Sequence, residues 1–138
     1  LQKEQGLISA TGSALTSEKY DQALGFGCVT TGTCGPQYAG FANQLYSAAS
    51  RYAEYGVRAS AFTYRSGGTY SIPYNPVASC GSAPVTIANK ATAALYNFTP
   101  YQPNAAALAN MYGTGDECST YGNRNFWRIF TQWFGATH

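Results

Sequence analysis

This sequence is poor in charge. Charged residues make up 10% of its 138 positions, against roughly 25% in an average soluble domain. The net charge is only +2 and the eight basic residues are scattered. Nucleic-acid binders concentrate Lys and Arg into a patch or stripe, so a nucleic-acid partner is not expected. There is one histidine, His138, at the very end of the chain. Ser/His and Cys/His nucleophilic sites need an internal imidazole, and these are set aside. A C-x-x-C pair is missing, which weakens any zinc reading of the cysteines. A G-x-x-x-x-G-K-[ST] phosphate loop is missing too. No apolar run approaches the ~18 residues of a membrane span. No cofactor and no metal are expected.

Carboxylates are the scarcest chemical resource. There are six: Glu4, Glu18, Asp21, Glu54, Asp116 and Glu117. Between Tyr55 and Gly115 there is none, so acid/base chemistry must draw on the ends of the chain. Asp116 and Glu117 sit in a Gly-rich turn, and Asp116 reads as a turn former. Glu54 reads as a solvated acid near a helix end. Glu18 and Asp21 bracket a short turn and read as caps, with a reserve role as a second acid. Glu4 differs, because Lys3-Glu4-Gln5-Gly6 looks like the end of a helix. A carboxyl there that opens onto a cleft is partly desolvated, and its pKa rises toward that of a general acid.

What the chain has in quantity is tyrosine, with 12 copies. Tyr offers an apolar ring and a hydroxyl at low side-chain entropy cost. Such surfaces suit sugars, although most of the tyrosines fill the core and its rim. Tyr38, Tyr74, Tyr96 and Tyr101 are the candidates for a groove. The four cysteines, Cys28, Cys34, Cys80 and Cys118, read as two disulfides made in an oxidising compartment. Of the three pairings, Cys28–Cys34 and Cys80–Cys118 are favoured. The first closes a small loop around Gly32, and the second ties a mid-chain loop to the start of the last helix. A secreted or cell-wall location follows. The chain opens in helical register without Met and reads as a mature or excised fragment.

Apolar spacing organises one domain over 1–138. Residues 1–10 read as a helix end, and 11–35 as loop with a helical turn near 17–24. Pro36 suits the first position of a helix reaching Tyr55, capped by Gly56. Residues 61–75 read as a β-hairpin turning at Gly67-Gly68, with a short third strand at Pro84–Ile87. Helices are expected over 88–98, 103–112 and 123–134. The last carries Phe126, Trp127, Phe130, Trp133 and Phe134 on one broad face, which is expected to be core. The fold class is α+β, a mainly helical body interrupted by a small β element.

Leu1-Gln-Lys-Glu4-Gln-Gly6 resembles the catalytic helix end of bacterial wall-lytic enzymes of the lysozyme superfamily, the soluble transglycosylases and glucosaminidases. Ala23–Cys28, with Phe26, is similar to the segment that follows that glutamate in the family. Gly40-Phe41 through Tyr55 resembles the next helix, and Tyr96–Pro103 resembles the segment bearing a groove tyrosine. Ala91–Asn104 and Tyr121–Trp127 also resemble strings in actinobacterial secreted wall-associated proteins, some labelled haemagglutinins. The sequence departs from the wall-lytic pattern in having Gln5 after the glutamate, Phe98 in the tyrosine segment, and no acid in the hairpin.

The resemblance implies a peptidoglycan glycosidase or lytic transglycosylase with Glu4 as its single acid/base. Gln5, Phe26, Tyr38, Tyr74, Tyr96 and Tyr101 would contact the glycan. A retaining or inverting pair needs two carboxyls at set separations. With one, attack by the sugar's N-acetyl group or 6-hydroxyl is implied. The family also has a helix before the glutamate, so an upstream or partner segment is expected to complete the fold. The rival readings are a non-catalytic carbohydrate-binding or adhesion module, and a structural assembly protein.

Overall fold

The computed structural model describes residues 7, 12–28 and 33–136. The protein is α+β and mainly helical, in the order α1 (Ser17–Asp21), α2 (Phe41–Val57), β1 (Thr69–Pro73), β2 (Ser82–Thr86), α3 (Lys90–Phe98), α4 (Ala105–Ala109) and α5 (Gly122–Phe134). It divides into two compact units, Leu1–Glu54 and Tyr55–His138, with the division inside the last turns of α2. The helix end expected over residues 1–10 lies almost entirely outside the described residues.

In the first unit, α1 starts at Thr16, whose hydroxyl accepts from Lys19 N. Helix α2 begins five residues later than Pro36 suggests. Pro36 lies in a tight turn in which Tyr38 N and Ala39 N both donate to Gly35 O. Gly40 then adopts φ +92, a left-handed conformation that no helix passes through. Its carbonyl accepts from Gln44 N and opens α2. At the other end Gly56 does not cap; it is helical, and α2 closes at Val57.

In the second unit the β-hairpin is real but its turn is elsewhere. β1 pairs antiparallel with β2, with Tyr70 opposite Val85 and Ile72 opposite Ala83. The segment expected as a third strand is therefore the second one. Gly67-Gly68 lies at the open end, where Gly67 N donates to Ile87 O and Ile87 N to Gly68 O. The chain reverses over 74–81, where Tyr74 N donates to Gly81 O and Asn75 Oδ1 accepts from Val77 N. The ladder bonds run through Gly68–Ile87 and Tyr74–Gly81, so the pairs Ser71–Pro84 and Pro73–Ser82 fall at non-hydrogen-bonded positions, and Pro73 and Pro84 remove no needed donor.

One face of this ribbon packs Ile72 and Ile87 against Ala93 of α3, with Tyr64, Tyr70, Val85 and Tyr96 around them. Asn97 then holds the incoming chain, accepting from Tyr64 N and donating to Tyr64 O. Asn89 and Asn104 cap α3 and α4, each accepting from the backbone N–H three residues on. These asparagines satisfy donors that a helix start leaves orphaned. The disulfides are Cys28–Cys34 and Cys80–Cys118, the favoured pairing. The second ties the hairpin loop to the turn before α5.

The aromatic face of α5 is not core. Phe126, Trp127, Phe130, Trp133 and Phe134 are between 36% and 71% exposed, while Asn123 and Arg124 are buried. The physical reason is hydrogen bonding. Asn123 Nδ2 donates to Thr99 O and Tyr101 O. Arg124 Nη1 donates to the carbonyls of Ala107, Asn110 and Gly113, the last oxygens of α4 and the turn after it. Those carbonyls lack helical partners, so the polar side of α5 turns inward.

Candidate functional site

The first unit carries a groove of about 400 Å³ along α2, lined by Phe26, Tyr38, Tyr46, Ser47, Ser50, Arg51 and Glu54. The helical period puts Tyr46, Ser47, Ser50, Arg51 and Glu54 on one face. Arg51 Nη1 and Glu54 Oε2 form an ion pair at 2.7 Å. Phe26 and Tyr38 come from the loops before α2 and meet edge to face, with centroids 5.1 Å apart.

A single buried glutamine holds these loops. Gln44 is 0% exposed, so each of its polar atoms needs a partner. Its Oε1 accepts from Leu24 N at 3.1 Å and Phe26 N at 2.9 Å. Its Nε2 donates to Phe26 O and Tyr38 O, both at 2.8 Å. All four hydrogen-bonding positions of the amide are used. Gly27 completes the fit. It has φ +64, and a Cβ there would lie 2.2 Å from Tyr38 Cδ2, so only glycine allows the ring to close over the loop.

Two of the expected substrate contacts, Phe26 and Tyr38, are thus brought together. Tyr74, Tyr96 and Tyr101 fall in the second unit. Tyr96 borders a cavity of about 550 Å³ with Leu95, Leu108, Met111, Phe126 and Trp127. Burial raises its phenol pKa, with the Tyr64 phenol adding to the shift. Tyr101 supplies a carbonyl to Asn123, and Tyr74 a carbonyl to the Thr120 hydroxyl. Glu4 and Gln5 lie outside the described residues.

No known protein family, curated protein or solved structure matches this chain.

The remaining carboxylates divide by environment. Asp116 Oδ1 accepts from Asn104 Nδ2 and Ser119 Oγ, each at 2.8 Å, and from Cys118 N at 3.1 Å. The Asn104 and Ser119 bonds hold its carboxyl below the usual range. It is a turn former, and a carboxylate so stabilised is a poor proton donor. Glu18 and Asp21 share a separate hollow of about 260 Å³ with Gln22, Thr33, Cys34 and Ala39. Glu18 accepts from Gln22 Nε2. Glu54, read from sequence as a solvated acid, instead joins Arg51 in the α2 groove. Sequence reasoning missed Tyr46, Ser47, Ser50 and Arg51 as groove residues. The i, i+4 spacing of Tyr46 with Ser50 and of Ser47 with Arg51 along α2 was the available signal. Among the described residues, no group of His, Cys, Asp and Glu could hold a metal ion. No described helix is long and apolar enough to cross a membrane.

Proposed function

We propose that this chain is an extracellular domain that binds cell-wall polysaccharide in the α2 groove and cleaves its glycosidic bonds, with Glu4 as the acid. The observation that carries the binding half is the composition of the groove. Three aromatic rings, two serine hydroxyls and one ion pair line a single open cleft. Sugars present apolar faces and hydroxyl edges, and such a cleft offers a partner to each. Two disulfides fit synthesis in an oxidising compartment.

The catalytic half rests on the resemblance around Glu4. Glu4 would protonate the leaving glycosidic oxygen as the C1–O bond breaks. The N-acetyl oxygen or the 6-hydroxyl of the same sugar would bond to C1. In the second case the hydroxyl proton passes to Glu4, and a 1,6-anhydro product results. In the first, water opens the intermediate and returns its proton to Glu4.

A binding module without catalysis is the second reading, favoured by the same groove, which needs no acid to hold a glycan. Co-sedimentation with purified insoluble peptidoglycan tests the binding common to both. Tyr46→Ala removes an aromatic that is 76% exposed and should weaken retention about fivefold or more at unchanged stability. Equal retention of wild type and variant would remove the groove from the account.

A further inference from the structure

The exposed aromatic residues of α5 form a palindrome. From Phe126 to Phe134 the sequence reads F-W-R-I-F-T-Q-W-F. Phe126 and Trp127 mirror Phe134 and Trp133 about Phe130. The rings make a continuous stripe: Phe126 lies 5.9 Å from Phe130, and Phe130 lies 5.0 Å from Phe134. All five are at least 36% exposed. The helix has no acidic residue. Its Arg124 is buried against carbonyls, and Arg128 donates to Met111 O and lies over the Tyr112 ring.

We propose that α5 is a homodimer interface in which two copies of the helix pack antiparallel about a two-fold axis at Phe130. A two-fold contact presents the same patch twice, so it needs a self-complementary surface. Antiparallel pairing of this palindrome supplies one. Phe126 meets Phe134 of the second copy, Trp127 meets Trp133, and Phe130 meets itself. The cavity beside Phe126 and Trp127, walled by Leu95, Leu108 and Met111, lies where the end of the second α5 arrives, and it can take an aromatic ring. No fixed charge on the stripe opposes the pairing.

Area supports a weak pair. A fully exposed aromatic side chain presents about 150–250 Å². At the observed exposures the five offer roughly 500 Å² per copy, hence about 1,000 Å² per dimer. That is near the lower bound of specific interfaces, the size of weak and transient pairs.

Analytical ultracentrifugation of the disulfide-intact protein up to about 100 µM tests this. The wild type is expected to shift from monomer to dimer with concentration. Phe130→Glu should weaken association about tenfold or more, because two carboxylates meet on the axis. Phe134→Glu, at the most exposed aromatic of the stripe, should weaken it without loss of fold. Val77→Glu, in the hairpin loop, should leave it unchanged. An equimolar mixture of Phe130→Glu and Phe130→Lys should recover the dimer, since only a two-fold at Phe130 brings those side chains together. A wild type that stays monomeric throughout, a dimer indifferent to Phe130→Glu, or a mixture that does not recover would each overturn the proposal.

Discussion

Gln44 grips Phe26 by both of its backbone groups, accepting its N–H at 2.9 Å and donating to its carbonyl at 2.8 Å. The same amide nitrogen reaches Tyr38 O. A side chain from α2 thereby does for the loops what a β-ladder would do, in a stretch whose strand pairing among the described residues is the single bridge of Cys28 with Cys34. Replacing Gln44 by Leu keeps similar bulk but abandons buried partners on Leu24, Phe26 and Tyr38. A lost bond to a buried polar group costs about 1–3 kcal/mol. The variant should lose about 3 kcal/mol in chemical denaturation, and its groove should loosen.

Gly27→Ala tests the same construction from the other side. The backbone sits at φ +64, and the new Cβ would enter the Tyr38 ring. A left-handed non-glycine residue costs about 1–2 kcal/mol, and ring displacement adds to that. Peptidoglycan retention should fall together with thermal stability, and a crystal structure or aromatic NMR shifts should show Tyr38 moved.

Helix α5 turns its polar side inward on the strength of Arg124, which is 5% exposed. Arg124→Leu would leave the carbonyls of Ala107, Asn110 and Gly113 without that donor. A destabilisation of about 2–4 kcal/mol is expected from equilibrium unfolding.

Much of the second unit could be read in advance. The helix expected over 88–98 is α3, Lys90–Phe98, the one expected over 103–112 is confined to α4, Ala105–Ala109, and the cysteines pair as favoured. The errors share a cause, which is that local signals were outvoted by contacts far along the chain. Gly67-Gly68 is a strong turn dipeptide, yet the reversal occurs at 74–81, next to Cys80 and its bond to Cys118. Pro36 is the exception, a good first helical residue overruled by a nearer signal, the left-handed Gly40. The aromatics of α5 have core spacing, but Asn123 is drawn inward to the carbonyls of Thr99 and Tyr101 and Arg124 to those of Ala107, Asn110 and Gly113. Gln44 was invisible because a helical glutamine is ordinarily solvated, and nothing in its neighbours marks it as buried. In the candidate site, Phe26 was legible as a loop aromatic, whereas Tyr38 was expected inside the helix starting at Pro36, and the α2 residues facing them needed the helix start to be placed correctly.

Asp116 carries a pH signature. Hydrogen bonds from Asn104 and Ser119 lower its pKa from the ordinary 3.8. A group whose folded pKa is depressed contributes stability above its unfolded pKa and loses it as pH falls through the folded value. Asp116→Asn should therefore be less stable than wild type at neutral pH, and the gap should narrow below pH 3.8. Thermal melts across pH 2–7 would measure it. A constant gap would assign the loss to packing rather than charge.

The most direct measurement is release of soluble fragments from purified peptidoglycan, comparing wild type with Glu4→Gln and weighing the products. A positioned general acid contributes about 10²–10⁴-fold. The account predicts release by the wild type, a loss of that order in the variant with binding retained, and either hydrolysed or 1,6-anhydro ends on the products. Equal release by Glu4→Gln, or no release by a wild type that binds peptidoglycan, would contradict the catalytic assignment.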